Sequence, residues 1–76
     1  MDDLIAEEIR KKVQALYYFE KMLALDDKHF KFVLLGNELV EVTDLLSGTV
    51  RYVNVACDNV PAMMLDILKQ AGDWIL

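Results

Sequence analysis

A chain of 76 residues holds at most one small domain, which buries only about 60% of the surface its unfolded form exposes, so a deep enclosed active site is not expected. Apolar residues make up 55% of it, above the usual ~45–50%, which excludes intrinsic disorder. Thirteen acidic residues against eight basic ones leave a net charge of −5, a balance that opposes nucleic-acid phosphates and anionic membrane surfaces.

From about residue 3 to residue 25 apolar residues recur at helical spacing, with Ile5, Ile9, Val13, Leu16, Phe19 and Leu23 forming one stripe. Acidic residues crowd the first turns and Arg10-Lys11-Lys12 follows, an order that suits the helix dipole and allows Glu7–Lys11 and Glu8–Lys12 pairs. The basic run reads as a solvated face. Leu4, Ala15, Tyr18, Met22 and Leu25 fall on a second sector, so the helix has two apolar faces.

After Asp26-Asp27-Lys28 the residue types change to aromatic and β-branched, and alternation predicts a strand over 29–35. Gly36-Asn37 supplies turn chemistry before a second alternating run over 38–44. A three-residue loop over Gly36, Asn37 and Glu38 faces Phe32 with Val42 and Leu34 with Val40, whereas a two-residue loop faces Phe32 with Glu41; burial selects the longer loop. A four-residue loop over 45–48, with Asp44 bonding its own backbone and Gly48 at positive φ, leads into a third strand over 49–57 and faces Val40 with Val53. Phe30, Phe32, Leu34, Val40, Val42, Val53, Val55 and Cys57 then share one face. The reverse face collects Val33, Leu35, Leu39, Val50 and Tyr52 among Lys31, Glu41, Thr43 and Asn54. Asp58 or Asn59 is a suitable N-cap for a second helix over about 60–71, with Pro61 in its first turn and Gly72 as a natural stop; if the helix continues, Trp74 extends its stripe. The expected fold is α+β, an α-β-β-β-α two-layer sandwich in which a three-stranded antiparallel meander carries both helices on one face.

The same order of elements is similar to that of the double-stranded-RNA-binding domain. That family grips phosphates with lysines at the start of its second helix, where this chain has Val60-Pro61-Ala62-Met63-Met64 and only Lys69 lies further along. No nucleic-acid partner is expected.

Chemistry-bearing residues are sparse. His29 lies in the connection before the first strand with no Ser or second ligand nearby in sequence, and reads as a loop histidine. Cys57 precedes a helix N-terminus, a place where thiolates are stabilised, but it is in phase with Val53 and Val55 and reads as a buried hydrophobe. One Cys and one His do not supply a zinc centre, no calcium loop exists, and no cofactor is implied. Asp2-Asp3 and Asp26-Asp27 point apart as sequence neighbours and read as solvated charges. A lone cysteine allows no intramolecular disulfide and the acidic start does not resemble a signal peptide, so a cytoplasmic location is expected; no apolar run approaches the ~18 residues of a membrane span.

The remaining signal is apolar surface in excess of one sandwich core. It predicts a non-enzymatic interaction domain, a homodimer or the partner of another protein, whose interface draws on Leu4, Tyr18, Met22, Leu25, Val33, Leu39, Val50, Tyr52 and Trp74. Two alternatives stand beside it. An acidic phage or mobile-element inhibitor would bind a basic nucleic-acid-handling protein through Asp2, Asp3, Glu7, Glu8, Glu38 or Glu41, and a small-ligand domain would hold its ligand near Tyr52, Met63 and Trp74.

Overall fold

The computed structural model of the chain describes residues 2–55 and 59–76, with side chains for residues 6–55 and 59–76. Helix α1 (Asp2–Leu25) is followed by strands β1 (Phe30–Leu35), β2 (Leu39–Asp44) and β3 (Val50–Asn54) and by helix α2 (Val60–Ile75). The strands form one antiparallel sheet in the order β1-β2-β3, and both helices pack on the same face of it.

Helix α1 ends where its last turn is closed twice. The Lys28 N–H donates to the Leu23 carbonyl and the Asp27 N–H to the Ala24 carbonyl, at 3.0 and 3.1 Å, with Asp27 in the left-handed region at φ 60°. This is the Schellman arrangement, here with Asp in the place usually taken by Gly or Asn. The Lys28 ammonium also donates to the Leu76 carbonyl, joining the end of α1 to the end of α2.

Register follows the burial argument. Phe32 faces Val42, Leu34 faces Val40, and the chain reverses through Gly36, Asn37 and Glu38 with Gly36 at φ 62°. Across the next turn Val40 faces Val53, and the Asp44 N–H donates to the Thr49 carbonyl at 2.8 Å. That turn is held from within: the Asp44 carboxylate accepts from the Leu46 N–H at 2.9 Å and the Ser47 N–H at 3.4 Å, while Gly48 takes φ 77°. The Leu46 bond lowers the Asp44 pKa below its ordinary 3.8, against some desolvation and with help from Ser47.

Asn59 caps α2, its side-chain oxygen accepting from the Ala62 N–H at 2.9 Å, and Pro61 sits in the first turn where its missing N–H costs nothing. The helix does not stop at Gly72 but runs four residues past residue 71, to Ile75. Gly72 keeps an ordinary helical φ there, and continuation buries Ile75 completely and lays Trp74 against the core. Packing thus overrides the stop signal.

The core joins Leu16, Phe19 and Leu23 of α1, Phe30, Phe32, Val40, Val42, Val53 and Val55 of the sheet layer, and Met63, Ile67, Ala71 and Ile75 of α2. Phe19 and Phe32 rings lie 5.1 Å apart. The stripe of α1 departs from expectation at one place: Val13 is exposed and Lys12 is fully buried. The buried stripe of α1 runs through Lys12, Leu16, Phe19 and Leu23 at helical spacing, and Val13 falls beside it, next to β1. The Lys12 ammonium reaches the Asn37 side-chain oxygen in the β1–β2 turn, at 2.6 Å, while its methylene stem lies under cover. The basic run is therefore not a purely solvated face. The Glu7–Lys11 pair forms at 3.8 Å.

Candidate interaction surface

Side-chain alternation leaves nine outward positions on the uncovered face of the sheet, and the two registers arrange them in rows of three. Lys31, Thr43 and Val50 form one row, Val33, Glu41 and Tyr52 the next, and Leu35, Leu39 and Asn54 the third. Five of the nine are apolar, and those five are 37–58% exposed. The Tyr52 hydroxyl donates to Glu41 Oε2 at 3.3 Å, which holds the ring along the face. Of the residues expected to form an interface, the structure gathers Val33, Leu39, Val50 and Tyr52 on this one surface, and Leu35 joins them.

The others go elsewhere. Tyr18, Met22 and Leu25 lie exposed along α1, Leu25 the most open of them at 89%. They form a narrow file with Tyr17 edge-on to Tyr18 at 5.8 Å, the Gln14 amide donating to the Tyr18 oxygen at 3.4 Å, and the Lys21 ammonium 5.2 Å from the Tyr17 ring. Leu4 lies among the residues whose side chains are not described, and Cys57 is outside the described residues. Trp74 does not face outward with the rest. It is half-buried at the end of the sandwich, edge-on to Phe30 at 5.1 Å, with the Arg51 guanidinium 4.6 Å from its ring. Arg51 is available for this contact because its register partner is the core residue Val42.

The structure does not bring Tyr52, Met63 and Trp74 together around one site. Tyr52 stands on the uncovered face, whereas Met63 is fully buried in the core on the other side and Trp74 packs against it. A shallow depression of about 260 Å³ lies instead between α1 and β1, lined by Val13, Leu16 and residues 31–34, with Lys31 its one charged group. His29 is exposed, and its carbonyl accepts from the Leu45 N–H at 3.0 Å. Among the described residues no three His, Cys, Asp or Glu side chains converge as metal ligands do, and no helix is long and apolar enough to cross a membrane.

Two polar residues that periodicity did not single out finish the sheet's edges. Glu20 of α1 accepts from the Phe32 N–H at 2.8 Å, on the outer side of β1. Gln70 of α2 engages both backbone groups of Asn54 on the outer side of β3, donating to its carbonyl at 2.9 Å and accepting from its N–H at 3.1 Å. These bonds occupy positions where another strand would otherwise dock. No protein-family model matches the chain, and neither a curated protein nor a solved structure is significantly similar to it.

Proposed function

We propose that this chain is a small non-enzymatic interaction domain that associates with itself through the uncovered face of its sheet. The observation that carries the reading is the placement of Val33, Leu35, Leu39, Val50 and Tyr52, all exposed, around Glu41 on one uncovered sheet face. Scattered single apolar residues are normal on a protein surface, whereas five gathered on one open sheet face favour a contact surface. The file on α1 is only one helix face wide and offers less continuous area.

The test is solution mass against concentration. Sedimentation equilibrium from low to high micromolar should show a monomer giving way to a dimer, and Tyr52→Asp should hold the chain monomeric while Met22→Asp should not. A strict monomer across that range, or a dimer lost only on Met22→Asp, overturns the reading.

A further inference from the structure

The shallow depression between α1 and β1 lies along an edge of the sheet. Its lining draws on both faces of β1, Lys31 and Val33 from the outward side and Phe32 and Leu34 from the helix side, but on nothing from β2. A hollow that touches both sets of alternating side chains sits against the outer edge of the strand, and here Val13 and Leu16 of α1 form its other wall. Helix α1 closes it at both ends. Glu20 accepts from the Phe32 N–H at one end, and Lys12 reaches Asn37, just beyond β1, at the other. Between these two bonds the backbone is open. The N–H and C=O of one strand residue point to the same side and those of its second neighbour agree, so the Phe32 carbonyl and both groups of Leu34 face away from β2. Among the described residues no hydrogen bond reaches them. At ~3.3 Å per residue the gap holds about four residues of an extended chain.

We propose that this edge is a β-addition site for a short extended peptide of a partner protein, which bonds the open backbone of Leu34, lays an apolar side chain against Val13 and Leu16, and sets an adjacent carboxylate on Lys31. Three observations select that chemistry. Free main-chain donors and acceptors beside an apolar hollow are what another main chain satisfies. The hollow itself, about 260 Å³ and open to solvent, takes a side chain more readily than it encloses a small molecule, for which pockets run from ~300 Å³ upward. Lys31 is exposed and belongs to no ion pair among the described residues, so the cation of the lining is available. Neighbouring residues of an extended chain point to opposite faces, which is the relation between the α1 wall and Lys31. A preference for carboxylate runs against the net charge of −5, and selectivity for acid over base therefore reports the local cation.

The test uses a fluorescein-labelled peptide, Ser-Thr-Glu-Leu-Glu-Thr-Ser, whose palindromic order presupposes no strand direction, with Ser-Thr-Lys-Leu-Lys-Thr-Ser as its control. By fluorescence anisotropy the parent is expected to bind the acidic peptide about fivefold more tightly than the basic one, and Lys31→Glu to reverse that order. Val13→Asp, at an exposed position, is expected to weaken the acidic peptide by about tenfold. Hydrogen exchange of the Leu34 amide should slow by about tenfold or more at saturating peptide, as its N–H gains a partner. Tyr52→Asp, which addresses self-association through β3 at the far side of the sheet, should leave peptide binding within about twofold, so either reading can fail without the other. No saturable binding, tighter binding of the basic peptide by the parent, or binding that leaves Leu34 exchange unchanged overturns the proposal.

Discussion

The two faces of the sheet use the same kinds of residue and meet opposite fates. On the helix side Phe30, Phe32, Val40, Val42 and Val53 are at most 8% exposed, while on the other side Val33, Leu35, Leu39, Val50 and Tyr52 remain open. β-Branched and aromatic residues suit a pleated strand on either face. The difference lies in the cover: α1 and α2 both sit on one side, and no other element among the described residues lies on the other. Strand composition therefore reports where a surface is to be covered, and topology decides whether the chain covers it alone.

The sharpest way to break this comparison is to truncate neighbours that point opposite ways. Phe32→Ala should cost about 3–5 kcal/mol, since it removes a ring from the closed core and leaves a cavity against Phe19. Val33→Ala should change monomer stability by no more than about 0.5 kcal/mol. Urea unfolding at low micromolar concentration measures both, and similar losses at the two positions would show that the outward face is covered within the monomer.

A smaller effect is expected at Lys12, the buried cation among the described residues. Asn37→Ala removes the acceptor seen at Lys12 and should cost about 1.5–3 kcal/mol, the range for a bond to a charged group. Adding Lys12→Met to Asn37→Ala should recover part of that loss, because the methionine keeps the buried stem without the ammonium. Equal additive losses in a double-mutant cycle would show that the two side chains are not coupled.

The smallest expected effect is a gain. Gly72 lies inside α2, and a Cβ built on it meets only the Leu68 Cβ, at an ordinary 3.9 Å. Gly72→Ala should therefore stabilise the helix that covers the core by about 0.5–1 kcal/mol, read as a rise in thermal midpoint. A loss would mean that the helix layer needs the glycine for close approach.

Much of the fold is legible in the sequence because its signals are local and mutually consistent. The two hairpin registers follow from keeping Phe32, Val40, Val42 and Val53 on one face, and Gly36 and Gly48 both adopt the positive φ that their turns require. The five apolar residues of the outward face follow from the same alternation. What escapes is long-range and polar. Lys12 reads as a solvent-facing cation because its type is nearly always exposed, and only the tertiary position of Asn37 draws it inward. Glu20 and Gln70 carry no periodic signal, since their partners lie 12 and 16 residues away on the strands. Trp74 depends on whether α2 passes Gly72, which local stop chemistry alone misjudges.

The bonds from Glu20 and Gln70 also bear on how the chain reaches this state. A meander formed before its helices dock presents unsatisfied amides along β1 and β3, a template on which other chains pair. Because one side chain from each helix bonds an edge residue, the docked helices both close the core and occupy part of each edge. Forms of the chain in which these bonds are unmade leave those edge positions open to pairing with other chains.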